Sequence, residues 1–136
     1  MTITTQFMRR FAAAALVTTC VAASAYAQSV SFVEPADGAT VSSPFKVKFA
    51  VSGMEVKPAG AVAPNVGHHH LLINAEPVKA GEVVPADATH LHFGKGQTEA
   101  DVVLPPGHYT LTMQFADGKH QSYGPAMSKT IKVNVK

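Results

Sequence analysis

The sequence predicts an all-β domain, an immunoglobulin-like antiparallel β-sandwich of about seven strands. Three observations lead there. Apolar and polar residues alternate with a period of two over several short stretches, turn-forming clusters separate those stretches, and no stretch has the spacing of an amphipathic helix.

The first candidate strand, residues 30–33, ends at Pro35-Ala36-Asp37-Gly38, and Ser43-Pro44 marks the next turn. The clearest alternation follows, with Phe45, Val47, Phe49 and Val51 on one face and Lys46, Lys48 and Ala50 on the other. Residues 53–67, with Pro58, Gly60 and Pro64 among small side chains, form the longest irregular connection and run straight into a histidine cluster. Loops of that length often carry function. Shorter strands are expected at residues 68–74, 90–93 and 98–104. Pro105-Pro106-Gly107 then turns the chain into a strand with Tyr109, Leu111, Met113 and Phe115 facing in and Thr110, Thr112 and Gln114 facing out. After Asp117-Gly118, Ile131, Val133 and Val135 alternate with Lys132, Asn134 and Lys136 in the last strand. A small open barrel is the alternative closure.

The first 27 residues stand apart. They hold both arginines, Arg9 and Arg10, no acidic residue, no glycine and no proline, and they end in Ala25-Tyr26-Ala27. A charged start, an apolar centre too short to span a bilayer and an A-x-A ending describe a secretory signal peptide, residues 1–27, cleaved after Ala27. Residues 28–136 then form one domain, and the expected location is the periplasm or the exterior. Cys20, the one cysteine, falls within the signal. Val17-Thr18-Thr19 before it lack the small residue usual ahead of a lipid-attachment cysteine, so soluble export is expected. The exported part has no disulfide, no thiolate metal site and no cysteine nucleophile.

Beyond residue 27, nine lysines (46, 48, 57, 79, 95, 119, 129, 132, 136) balance nine acidic residues (34, 37, 55, 76, 82, 87, 99, 101, 117), and no arginine remains. A neutral domain without guanidinium forks has no basic patch for phosphates or base edges, which excludes nucleic acid as a partner. No later stretch is apolar enough for a membrane span, and a monomer is expected.

Histidine is the unusual residue: seven of them, at 68, 69, 70, 90, 92, 108 and 120, all beyond the signal. Four form two H-x-H units, His68-x-His70 and His90-x-His92. Residues two apart on a strand project from the same face, so each unit can offer two imidazoles to one small ion. Imidazole donors suit copper, zinc or nickel. His120, just past the Asp117-Gly118 turn, can complete the set, which makes His68, His70, His90, His92 and His120 the candidate metal ligands. Met54 and Met127 are weaker candidates whose thioether sulfur would bias a site toward copper; the plainer reading of a methionine is core filling. His69 shares a face with Leu71 and Ile73 and reads as a buried hydrogen-bonding residue, and His108 as a surface one. Glu76 and Asp87 are candidate acceptors that orient imidazole rings. Against the ligand reading stands a polar structural network of the same histidines.

Enzymatic motifs are wanting. No G-x-S-x-G elbow occurs, Gly94-Lys95-Gly96-Gln97-Thr98 lacks the spacing and helix of a phosphate loop, and Glu99 and Asp101 read as a solvated strand face.

Gly67-His68-His69-His70-Leu71-Leu72-Ile73, His90-Leu91-His92-Phe93-Gly94-Lys95-Gly96-Gln97-Thr98-Glu99 and Leu104-Pro105-Pro106-Gly107 together resemble the signature of a family of small exported bacterial domains of unknown function. The resemblance extends to Glu34-Pro35-Ala36-Asp37-Gly38-Ala39-Thr40-Val41 and Phe45-Lys46-Val47, covering essentially the whole exported domain. It implies export, and an interest in His68, His69, His70, His90 and His92, with His120 also suiting the pattern and His108 not. Members often carry a further histidine where this chain has Thr89, a departure that weakens any scheme with three ligands from that segment. The P-x-D-G turn also resembles periplasmic copper-handling sandwich domains, but those place a histidine at the mature amino terminus, where this chain has Gln28.

The function expected is therefore copper or zinc binding or delivery in the periplasm, without catalysis. The alternative is a non-catalytic cell-envelope module with structural histidines that recognises a protein or glycan. Ligand histidines must be neutral, so metal occupancy is expected to fall with pH through roughly 6.5.

Overall fold

The computed structural model describes residues 27–136, so residues 1–26 of the expected signal peptide, Cys20 among them, lie outside the described residues. Nine strands carry the described chain: β1 (Ser29–Glu34), β2 (Ala39–Val41), β3 (Phe45–Ser52), β4 (Glu55–Val56), β5 (Val66–Ile73), β6 (His90–His92), β7 (Glu99–Val102), β8 (Gly107–Ala116) and β9 (Ser128–Val135). The only helical element among the described residues is a single 3-10 turn, Pro125–Met127. The all-β class is as the alternation predicts. Seven strands answer the seven expected; β2 and β4, of three and two residues, are the additions, and each pairs parallel to a neighbour.

The strands form two sheets. One has the order β1-β3-β7, and the other β2-β9-β8-β5-β4, with β6 also paired to β5. Val30, Phe45, Val47, Phe49 and Val102 from the first sheet and Leu71, Ile73, Leu111, Met113, Phe115, Ile131, Val133 and Val135 from the second meet in one core. Burying these side chains is the main stabilising contribution, on the order of 1.5–3 kcal/mol for each large aliphatic or aromatic residue. The outer face of the first sheet is solvated, where Lys46 lies 3.6 Å from Glu99 and 3.5 Å from Asp101, and Lys48 3.5 Å from Glu34. Glu99 and Asp101 thus belong to an exposed ion-pair ladder, as their alternation suggested.

The second sheet departs from simple alternation. Every residue of β5 is buried, and so are Leu111 to Ala116 of β8. Thr112 and Gln114, expected to face solvent, are fully enclosed. Their face is roofed by the segment 75–87, which carries a small apolar cluster of its own, Leu72, Val84 and Ala116 packed with Ala75 and Val78. The polar side chains are satisfied under that roof. Gln114 accepts at Oε1 from the Val78 amide at 3.0 Å, and its Nε2 donates to the carbonyls of Gly124 and Met127. Thr112 shares a hydroxyl contact of 2.7 Å with Thr130. Alternation in sequence reports two faces but cannot tell that a loop covers the second.

Candidate metal centre

The roofed face of the second sheet is where the histidines gather. β5 is bounded on one side by β8 and on the other by β4 and then β6. Its alternation sends His68, His70 and Leu72 to the roofed face and His69, Leu71 and Ile73 to the inter-sheet core. In the antiparallel pairing of β5 with β6, His70 stands directly opposite His92. His68 stands opposite Ala116, the last residue of β8, where the chain turns back. That turn carries His120.

The turn is built for the purpose by Asp117. Its amide donates to the Gln121 carbonyl, its carbonyl accepts from the His120 amide at 2.9 Å, and its Oδ1 accepts from the Lys119 and Gln121 amides at 2.8 and 2.9 Å. The three loop residues are Gly118, Lys119 and His120, and the third of such a loop takes a left-handed backbone that glycine usually supplies. Here it is His120, at φ +65°. A histidine held in a position that favours glycine is strained, and strain of this kind collects at functional sites.

His68, His70, His92 and His120 form one group, each offering a ring nitrogen within 4.8 Å of the others. His92 Nε2 lies 3.1 Å from His68 Nε2 and 3.0 Å from His120 Nε2. A tetrahedral ion with metal–nitrogen bonds of about 2.0–2.1 Å sets its ligand nitrogens about 3.3 Å apart, so these spacings suit one small ion. The rings meet edge to face or tilted, His68–His120 at 5.0 Å and His92–His120 at 4.7 Å between centroids, rather than stacking flat on one another.

Burial grades across the group. His68 and His70 are closed off from solvent, His120 is half-buried and His92 exposed. Burial, with repulsion from the neighbouring imidazolium forms, pushes His68 down to about 4 and His70 to about 3, and lowers His92 for the same reasons. The buried imidazoles are therefore neutral at physiological pH, the form a metal requires.

Of the five candidate ligands, His90 stands outside the group. Its Nδ1 is 2.8 Å from Asp87 Oδ1, which also accepts from the Thr89 hydroxyl and amide. These contacts, the His90 hydrogen bond foremost, bring the Asp87 carboxyl down to about 2. Asp87 thus orients a histidine, as its position suggested, but that histidine is His90. His69 points into the core between Phe49 and Phe115, at centroid distances of 4.8 and 5.0 Å, and both its ring nitrogens lack partners, against the hydrogen-bonding role expected of it. His108 is exposed on β8. Met127 is buried in the inter-sheet core and Met54 packs against it, so both methionines are core filling.

Three glycines were missed as part of the site. A β-carbon on Gly94 would lie 2.5 Å from His92 Nε2 and 3.0 Å from Nδ1, so the missing side chain is the space the imidazole occupies. One on Gly67 would lie 2.7 Å from a ring carbon of Phe115, and the bare backbone lets β5 approach β8 just before His68. One on Gly118 would lie 2.9 Å from the Ala61 amide nitrogen. The last contact shows what the irregular 53–67 loop does. The Ala59 amide donates to the Gly94 carbonyl and the Gly60 amide to the Gly118 carbonyl, both at 2.8 Å. The loop supplies no ligand and instead ties together the two segments that carry His92 and His120.

Comparison with curated proteins and with solved structures gave no match. A family model described as a domain of unknown function, DUF4399, matches residues 47–136, a span that contains all four grouped histidines and the three glycines around them. On that match the chain belongs to the DUF4399 family.

Proposed function

We propose that the protein is exported to the periplasm and binds one transition-metal ion through His68, His70, His92 and His120, copper ahead of zinc, for storage or delivery and without catalysis. The observation that carries this reading is His70. It is 1% exposed, neither ring nitrogen has a hydrogen-bond partner, and it belongs to a group of four converging imidazoles. A buried polar atom left unpaired costs on the order of 1–3 kcal/mol, a cost a metal bond removes. His69 is unpartnered too, but no second donor converges on it. Copper is preferred on affinity order, since divalent copper outranks zinc at nitrogen sites; the methionines in the core lend it no further support.

The competing reading is a cell-envelope module with structural histidines. What favours it is the contact of His92 Nε2 with His68 Nε2 and His120 Nε2, one of which a neutral imidazole can make as a hydrogen bond. It leaves His70 unexplained.

The test is elemental analysis of tag-free protein produced from the full chain, stripped by chelator and challenged separately with copper and zinc. About one equivalent retained by the wild type and lost in His70→Ala, with the far-ultraviolet circular dichroism unchanged, supports metal binding. Retention of nothing at micromolar metal transfers the case to the envelope module.

A further inference from the structure

His70, His92 and His120 do more than converge: they form one wall of a cleft of about 200 Å³ whose other walls are Val83, Val84, Pro85 and Ala86. His68 is not among the lining residues and sits behind them. The apolar wall is fixed to the hairpin that carries His120. The Val84 amide donates to the His120 carbonyl at 2.9 Å, the Ser122 amide to the Glu82 carbonyl at 2.8 Å, and the Gly81 amide to the Ser122 carbonyl at 2.8 Å. Val83 and Gln121 form a further bridge. The opening beside the histidines is thus held open by backbone hydrogen bonds on one side and by the sheet on the other.

Charge says what the opening is for. Four neutral imidazoles bring no negative charge, so a divalent ion among them keeps both of its positive charges in a half-buried setting. Asp117 acts on His68 only through its charge, its carboxylate being turned to the amides of its own turn, and Asp87 is held by His90 and Thr89, so neither lines the cleft or reaches the ion. No lysine lines it either. We infer that the cleft beside His70, His92 and His120 takes a small monodentate anion that coordinates the bound metal and compensates its charge. The volume corresponds to about seven water molecules at a liquid share of about 30 Å³ each, ample for a small anion. The valine, proline and alanine side chains opposite the histidines carry no charge or hydrogen-bond donor, which favours a compact anion held through the metal over a polyatomic one that needs side-chain partners.

This inference rests on the metal reading above, and its test separates the two. Copper(II)-loaded protein from the full chain is titrated with azide and followed by the azide-to-copper charge-transfer absorption and by electron paramagnetic resonance. Saturable growth of the band, with a changed copper spectrum and copper still bound at one equivalent, is the expected result. Ala86→Phe and Pro85→Phe, both at exposed rim positions, should each weaken azide at least tenfold while copper stoichiometry stays the same. Copper bound at one equivalent with a spectrum indifferent to azide overturns the anion site and spares the metal site. Azide binding equally well to both rim variants also overturns it, since the cleft would then play no part. Failure to retain copper at all removes both readings together.

Discussion

The imidazole of His92 occupies the volume that a side chain on Gly94 would need. The two residues are neighbours but one along the chain, and the ring folds back over the glycine backbone to reach His68 and His120. Gly94→Ala must therefore displace the ring or the strand end that carries it. Metal affinity should fall at least tenfold, about 1.4 kcal/mol, with a much smaller change in the melting temperature of metal-free protein. Isothermal titration of chelator-stripped protein measures the first and thermal denaturation the second. Unchanged affinity would show that His92 is not a ligand.

His90 and His92 occupy equivalent places in one H-x-H unit, and the fold separates their roles. His90→Ala should retain about one equivalent of metal, because that ring is engaged with Asp87 outside the group of four. His92→Ala should lose most of the affinity. Metal content after gel filtration distinguishes them, and equal losses in both variants would return His90 to the ligand set.

The left-handed backbone of His120 sets local stability against ligation. His120→Gly relieves a conformation that costs a non-glycine residue about 1 kcal/mol, so metal-free protein should be as stable as the wild type or up to that much more stable. The same variant should bind metal weakly. Urea denaturation with and without metal reads both effects, and a clear loss of metal-free stability would mean that the His120 ring contributes mainly to packing.

Acid should destabilise the metal-free protein. His68 and His70 bind their protons at about 4 and about 3 when folded, against about 6.5 when unfolded. Below the unfolded value the unfolded chain binds more protons than the native one, so stability is full above about pH 6.5 and declines as pH falls toward 4 and then 3. The limiting slope is about 1.4 kcal/mol per pH unit for each such histidine. Urea midpoints at pH 7.5, 5.5 and 4.5 should fall in that order, and a flat profile would contradict the burial of these rings. Metal occupancy should likewise persist at pH 5.5, below the roughly 6.5 expected of free histidine, because the buried ligands are still neutral there.

Much of this was legible in the alternation and in the histidine spacing. Phe45, Val47 and Phe49 face the core as the pattern of two requires, and His68 and His70 share a face for the same reason. Gln114 and Thr112 were misplaced because a period of two says which residues share a face, while the 75–87 roof over that face is a tertiary fact. The H-x-H rule likewise could not divide His90 from His92, since the division depends on an aspartate three residues away that captures one ring. Gly94, Gly67 and Gly118 carried a signal that went unused. Two of them adjoin histidine blocks and the third opens the turn of another, where a missing side chain marks space reserved for a neighbour.

The paired hydrogen bonds from Ala59 to Gly94 and from Gly60 to Gly118 have a kinetic meaning. On the metal-binding reading, His68 and His70 stay with a strand buried on both faces, while His92 and His120 sit on a short outer strand and a turn that this loop clasps together. Lifting that loop removes one hydrogen bond from each of these segments at once, so the two outer donors should loosen together and ahead of the inner two. A proline or a disulfide that stiffened residues 57–61 should then slow an ion's departure without touching any of the four histidines.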